Sequence, residues 1–109
     1  MSMIDALVDA QAQEAGWPKP EREVRFAPPR RWRADYYWQG LSIPPYPHAA
    51  ALEIEGGVWT KGRHTRGSGF LKDCEKYNTM ATMGIRLIRL NPQQVKNGEL
   101  KEWLRRMVA

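Results

Sequence analysis

Residues 70–90 read FLKDCEKYNTMATMGIRLIRL, and this stretch decides the predicted fold. Apolar side chains recur at near-helical spacing across residues 70–83, which predicts a helix there. These side chains are Phe70, Leu71, Cys74, Tyr77, Met80 and Ala81. Gly84 follows where a glycine commonly ends a helix, and residues 85–90 (IRLIRL) predict a strand. A long helix that leads straight into a strand is typical of a crossover between two strands of one sheet.

Three further strands are predicted before this stretch. They cover residues 23–26 (EVRF), 31–38 (RWRADYYW) and 49–55 (AAALEIE), and proline-containing segments separate them. Alternation along the second strand places Trp32, Ala34, Tyr36 and Trp38 on one face and Arg31, Arg33, Asp35 and Tyr37 on the other. The pattern predicts a three-stranded meander ahead of the crossover helix.

Helices are predicted at both ends of the chain. Residues 3–15 form the first, and Ser2 with Asp5 makes a capping box at its start. Another helix begins at Asn91-Pro92, and residues 99–108 form the last one. The order helix, three strands, helix, strand, helix predicts one α/β domain over residues 1–109, a three-layer-like sandwich around a mixed sheet. No GxGxxG or GxxxxGK[ST] motif is present, which argues against a nucleotide-binding fold.

The charge of the chain is uneven. Its 109 residues carry a net charge of +5, with five acids against two bases in residues 1–23 and a clear basic excess afterwards. This favours a polyanion such as nucleic acid, although a solvated basic surface is the simpler reading. No apolar run could span a membrane, and the N-terminus does not read as a secretory signal. A single cysteine excludes an internal disulfide, so we expect a protein of the bacterial host cytoplasm.

Three carboxylates mark the predicted strands. Asp35 stands in mid-strand among aromatic residues, where aspartate is disfavoured. Glu53 and Glu55 are two residues apart, so both point to one face of their strand. Converging carboxylates repel one another unless a cation lies among them, and oxygen ligands favour Mg²⁺ or Mn²⁺. The alternative is that the two glutamates lie on the exposed face of an edge strand and pair with Arg86 or Arg89.

The segment VWTKGRHTRGSG (residues 58–69) reads as a basic, glycine-bearing surface loop. His64 within it is a candidate general base, although an ordinary loop histidine is the alternative. The cations at Lys61, Arg63 and Arg66 suit phosphate oxygens, since glycines let a backbone approach them closely. On the following helix, Lys76 is three residues beyond Asp73, and we expect it to form a surface ion pair.

Four segments resemble one nuclease family. DYYW (35–38), LEIEGG (52–57), GRHTRGSGFLKDCEKYN (62–78) and GIRLIRL (84–90) resemble small phage and bacterial endonucleases of the PD-(D/E)XK superfamily. The nearest branch holds the very-short-patch repair endonucleases and related phage homing endonucleases. The resemblance spans residues 20–98, and it implies a restriction-endonuclease-like core and a Mg²⁺-dependent DNA endonuclease.

The resemblance also implies roles for particular residues. Asp35 with Glu53 or Glu55 would bind the metal, and Asp5, His64 and Asp73 would complete the catalytic set, with Asp9 or Glu14 as alternatives to Asp5. The superfamily pattern expects lysine two residues after the strand acid, but position 55 holds glutamate. His64 would then have to activate the attacking water.

These inferences predict a phosphodiesterase acting on DNA, as a monomer, a homodimer or part of a larger phage assembly. Arg63, Arg66, Lys61 and Arg33 would neutralise phosphates, and Trp59 would stack on a base or wedge into a base step. A non-catalytic DNA-binding or phage structural module that keeps the fold is the main alternative. No motif that reads bases is visible, so an RNA substrate is a third reading.

Overall fold

The computed structural model describes residues 1–41, 48–56 and 67–108, with the side chains of residues 67–70 left out of the description. Its helices are α1 (Met3–Glu14), α2 (Gly67–Thr82), α3 (Pro92–Lys96) and α4 (Glu99–Met107). Its strands are β1 (Glu21–Val24), β2 (Ala34–Gln39), β3 (Ala49–Ile54) and β4 (Ile85–Leu90). No helix in the described part of the chain is long and apolar enough to cross a membrane.

The four strands form one mixed sheet in the order β1-β2-β3-β4. β1 is antiparallel to β2, and β2 is antiparallel to β3. β3 and β4 are parallel because α2 carries the chain across between them. Leu52 of β3 lies opposite both Tyr36 and Ile88, which fixes the register in the centre of the sheet. The mixed sheet and the crossover are therefore confirmed, and β3 is an interior strand.

Helices cover both faces of the sheet. On one face, Leu100 and Leu104 of α4 and Val8 of α1 are fully buried in a cluster with Trp38 and Leu52. On the other face, α2 contributes Met80 to a smaller cluster that includes Tyr37, Ala51 and Ile85. Burying large aliphatic and aromatic side chains is the main stabilising contribution to such a layered domain.

Hydrogen bonds between uncharged groups connect α1 and the following Trp17 with α3 and α4. Buried Gln11 of α1 donates to the Val95 carbonyl oxygen (2.7 Å) and accepts from the Lys101 backbone N–H (3.2 Å). The Trp17 indole N–H donates to the Leu104 carbonyl oxygen at 3.2 Å. A polar residue on the apolar stripe of α1 is thus satisfied on both sides, as a buried amide must be.

The helix ends follow the sequence signals. The Ser2–Asp5 capping box is confirmed, with the two N–H to oxygen distances at 3.1 and 3.0 Å. Asn91 and Gln94 form an equivalent box at the start of α3. Gly98 has φ +83°, a left-handed conformation that lets the chain turn from α3 into α4.

Two predicted strands have different bounds in the structure. β1 covers residues 21–24 rather than 23–26, and β2 covers 34–39 rather than 31–38, because pairing between them stops where Val24 faces Ala34. Trp32 lies outside the strand, against Phe26 and beneath the Arg30 guanidinium. It joins the α2-side cluster with Ala34. The predicted shared face with Tyr36 and Trp38 is therefore incorrect.

The two remaining differences concern helices. α2 begins at Gly67, three residues before the predicted start, and ends at Thr82 before Gly84 takes φ +75°. In α4, Leu100 and Leu104 are buried, whereas Trp103 on the predicted apolar face is 43% exposed. Trp103 is at the flank of the buried stripe because the core is already filled by the two leucines.

Candidate active site

β2 and β3 are joined by two carboxylates where their backbone pairing ends. The register that pairs Tyr36 with Leu52 would place Asp35 opposite Glu53. The Asp35 backbone N–H instead donates to Glu53 Oε2 at 2.8 Å, and the Ile54 N–H donates to Asp35 Oδ2 at 2.7 Å. Side-chain oxygens thus replace carbonyls of the ladder. We call this arrangement the Asp35–Glu53 junction, and it explains why an aspartate is tolerated at this position of a strand.

Glu53 is a buried carboxylate, only 6% exposed. Burial raises its pKa above the ordinary glutamate value, while hydrogen bonds from Lys76 and from the Asp35 N–H act in the opposite direction. Lys76 Nζ lies 2.5 Å from Glu53 Oε1, and its side chain is 16% exposed. The ammonium group stabilises a negative charge that the surrounding protein would otherwise disfavour.

Lys76 was expected in a surface ion pair, and that expectation is wrong. Its turn of α2 faces the sheet, so the side chain reaches the end of β3 instead of solvent. Sequence reasoning missed Lys76 as a site residue. The available signal was the glutamate at position 55, because a site without its expected strand lysine needs a cation from another element.

Glu55 follows β3 and is held by a different cation. Its backbone N–H donates to the Leu90 carbonyl oxygen at 2.7 Å, and its carboxylate accepts from Arg89 Nε. The Arg89 guanidinium lies 4.4 Å from the centroid of the Tyr77 ring. Burial raises the pKa of the Tyr77 hydroxyl. The expected alternative of a Glu55 pair with a β4 arginine is therefore present, although β3 is not an edge strand.

Asp5 approaches the junction from the opposite face of the sheet. The Tyr36 hydroxyl donates to Asp5 Oδ1 at 2.5 Å, which lowers the pKa of the Asp5 carboxyl. Burial and the Asp5 hydrogen bond together raise the pKa of Tyr36, so its hydroxyl remains a donor. Asp5, Tyr36 and Asp35 line one cavity of about 470 Å³, together with Arg22, Glu23 and Ile54.

Two predicted residues lie apart from the junction. Asp73 is exposed on α2, and its charge contributes to raising the pKa values of Tyr77 and Arg89. Arg33 is exposed just before β2, with Nη1 at 3.9 Å from Glu23 Oε1. Neither side chain contacts Asp35 or Glu53 among the interactions of the described residues.

Five predicted residues lie outside the described residues. They are Trp59, Lys61, Arg63, His64 and Arg66. Their segment connects Gly56, directly after Glu55, to Gly67 at the first turn of α2. The described chain thus leaves the site at Glu55 and returns on the helix that carries Lys76.

The donor set can be tested against the predicted Mg²⁺ ion. Within the described ranges, no three histidine, cysteine, aspartate or glutamate side chains converge as a ligand cluster. Asp35 and Glu53 do come together, through the junction hydrogen bonds. Mg²⁺ is commonly held by one or two carboxylates, with water and substrate phosphate as its other ligands. The described residues thus offer two carboxylates of the type that Mg²⁺ takes, of which Glu53 already accepts hydrogen bonds on both oxygens.

The chain was also compared with known proteins. No family model matches it, and no match was found among curated proteins or solved structures.

Proposed function

We propose that this chain is a metal-dependent DNA endonuclease that hydrolyses phosphodiester bonds with Mg²⁺ or Mn²⁺. The observation that carries the proposal is the Asp35–Glu53 junction with Lys76 held against it. Two carboxylates and one ammonium group meet where two strands separate, and one of them, Asp35, lines a cavity. Acidic ligands next to a cationic donor are the groups that metal-assisted phosphate hydrolysis requires.

The fold supports the same proposal. The helix, the antiparallel meander, the crossover helix and the parallel fourth strand form a mixed α/β sheet, which is compatible with the restriction-endonuclease-like layout that the sequence resemblance implies. The carboxylates stand at the start of β2 and the end of β3, the two strands on which the resemblance expects metal ligands. We propose the corresponding cellular setting, the cytoplasm of a bacterial host, with a phage or prophage as the source.

In the proposed mechanism, Asp35 and Glu53 would hold the metal, which would supply Lewis-acid chemistry for the hydrolysis of the phosphodiester. The hydrogen bond from Lys76 opposes the rise in the pKa of Glu53 that burial causes. Its ammonium group has three N–H donors, and Glu53 Oε1 engages one of them. The remaining donors can orient a water molecule or stabilise charge on a phosphate oxygen.

The segment after Glu55 supplies the other proposed groups. His64 takes the proton from the attacking water, and Lys61, Arg63 and Arg66 neutralise phosphate charge. Trp59 stacks on a base or wedges into a step. Asp5 acts as a positioning residue, since it orients the Tyr36 hydroxyl on the far side of the cavity.

One observation favours a non-catalytic DNA-binding or phage structural module. Both glutamates are already neutralised, Glu53 by Lys76 and Glu55 by Arg89. Paired in this way, they stabilise the end of β3 with no metal required. In that case the fold would bind DNA through its basic surface without cleaving it.

Cleavage of supercoiled plasmid and branched DNA, with and without Mg²⁺ or Mn²⁺, separates the two proposals. We expect metal-dependent nicking or linearisation that is lost on chelation. The matched control is Arg105→Ala, because Arg105 lies on α4, paired with Glu102. Binding of DNA with no cleavage under any metal condition would support the non-catalytic module.

A further inference from the structure

A second basic surface lies along β4, away from the Asp35–Glu53 junction. A groove of about 480 Å³ runs beside this strand, lined by residues 86–89 and by Trp103, Arg106 and Met107 of α4. β4 is the last strand of the sheet, so no described strand pairs with its outer edge. We call this surface the β4 groove.

Arginines dominate the charge of the β4 groove. Arg86, Arg89 and Arg106 all line it, and none of the other lining residues is acidic. Arg86 is exposed and donates weakly to the Met107 carbonyl oxygen at 3.4 Å. Arg89 reaches from the groove to Glu55, which connects this surface with the end of β3. A surface with this charge is complementary to a polyanion.

Trp103 gives the β4 groove an aromatic face. Its side chain is 43% exposed, and the Arg106 guanidinium lies 4.8 Å from the ring centroid. The arginine contact restricts the indole while leaving it accessible. An exposed aromatic ring among arginines is the combination on which unpaired bases stack while phosphates find cationic partners.

We propose that the β4 groove binds a single-stranded segment of nucleic acid. Its phosphates would lie against Arg86 and Arg106, and one base would stack on Trp103. The identification of the polyanion as DNA rests on the proposed function. Binding in the β4 groove itself requires neither the metal nor the Asp35–Glu53 junction. It assigns the chain a preference for frayed, flapped or branched DNA, because only an unpaired base offers its face to the ring.

A second copy of the chain is the less favourable occupant. Two-fold pairing along β4 would bring the same strand of each copy together, as isologous contacts do. Each copy would then place Arg86, Arg89 and Arg106 close to those of its partner. Repulsion between these guanidinium groups disfavours that arrangement, whereas a phosphate backbone is attracted to both faces of the strand.

Fluorescence anisotropy of a labelled poly-dT oligonucleotide and a duplex of equal length, both in chelator, tests the proposal. We expect Trp103→Ala to weaken single-strand binding by roughly tenfold or more, the effect of losing one stacked base. Trp103→Phe should restore most of the affinity because phenylalanine keeps an aromatic face. Arg106→Gln should reduce the slope of log affinity against log salt by about 0.7.

Arg105→Gln is the matched control, since Arg105 is on the same helix but pairs with Glu102 and does not line the groove. Wild-type affinity in both Trp103→Ala and Arg106→Gln would overturn the proposal. It would favour a protein strand as the partner of the β4 edge. Circular dichroism checks that each variant folds. If oligonucleotide binding depends on the groove residues but the protein does not cleave plasmid, only the proposed nuclease activity is refuted. If the protein cleaves plasmid but the groove variants bind the oligonucleotide normally, only this inference is refuted.

Discussion

The two faces of the sheet are built on different principles. The face under α1, α3 and α4 is closed in its interior by aliphatic side chains and by hydrogen bonds of Gln11 and Trp17, and its ion pairs, of Arg22 with Asp5 and Asp9, lie at the β1 edge. The face under α2 places ionised groups at the end of β3, where Lys76 meets buried Glu53 and Arg89 meets Glu55. Buried charge contributes little net stability compared with apolar packing, so the proposed function offers a reason for the ionised groups at the end of β3.

The largest expected effect is on the chemistry of the charged face. Asp35→Asn keeps the side-chain size but removes the negative charge of a proposed metal ligand, and we expect plasmid cleavage to fall by about three orders of magnitude, or ~4 kcal/mol. DNA binding should persist or tighten because repulsion of phosphate is relieved. Full cleavage by Asp35→Asn in Mg²⁺ would mean that the chemistry does not depend on Asp35. The charged face would then differ from the apolar face in structure but not in function. Thermal unfolding of the same sample reports whether the fold is intact.

The apolar face should show the largest loss of stability. Leu104 is fully buried, and Leu104→Ala should lower the free energy of unfolding by about 3 kcal/mol. Urea denaturation measures the change. Leu71→Ala is the matched control, because Leu71 is 67% exposed on α2 and its truncation should change stability by less than about 0.5 kcal/mol. Equal losses in the two variants would contradict the assignment of the core.

Removing the Lys76 cation from the charged face should lower the free energy of unfolding by an amount that depends on pH. Lys76→Met leaves Glu53 buried without its ion-pair partner, which should cost about 2 kcal/mol at neutral pH. Burial already raises the folded-state pKa of Glu53 above the ordinary glutamate value. Ionisation of Glu53 therefore costs stability as pH rises through that pKa, and protonation relieves the cost as pH falls. The Lys76→Met deficit should accordingly shrink on acidification.

The double variant Glu53→Gln/Lys76→Met serves as its control. With no charge left at the site, stability should recover towards the wild-type value and lose this pH dependence. Urea denaturation across a pH series measures both variants. A deficit in Lys76→Met that stays constant with pH would show that Glu53 is not the group responsible.

The smallest expected effect concerns the uncharged hydrogen bonds. Gln11→Leu keeps an apolar volume on α1 but removes the partner of the Lys101 N–H and one of the donors to the Val95 carbonyl, which still accepts from the Gly98 N–H. We expect a loss of about 1–2 kcal/mol in unfolding free energy, with no change in cleavage rate. A loss of cleavage at unchanged stability would mean that the two faces are coupled.

Local signals in the sequence predicted the elements and their order. Proline and glycine punctuation, the Ser2 capping box and the 3.6-residue period over α2 all depend on neighbouring residues. The face assignment of Trp32 failed because strand β2 starts only where it gains a partner strand, and that partner is set by tertiary pairing. Asp35 and Glu53 could be singled out because carboxylates are unusual in strands.

The contacts between charged groups could not be predicted in the same way. Lys76 is 23 residues from Glu53 in sequence, and helical spacing alone offered Asp73 as a nearer partner. The rotation of α2 about its axis determines that Lys76 pairs with Glu53, and this rotation depends on how Met80 packs against the sheet. The same holds for Asp5 and Tyr36, which are brought together only when α1 docks beside β2.

The link between Trp17 and Leu104 has a consequence for how the molecule is made. The two residues are 87 positions apart, and Gln11 reaches Lys101 across 90. On the ribosome, α1 has β2 to dock on once the meander has been translated, but its contacts with α4 wait for residues 99–107. The apolar face that α4 covers stays exposed until then, and its closure is a late step that depends on contacts between residues far apart in sequence.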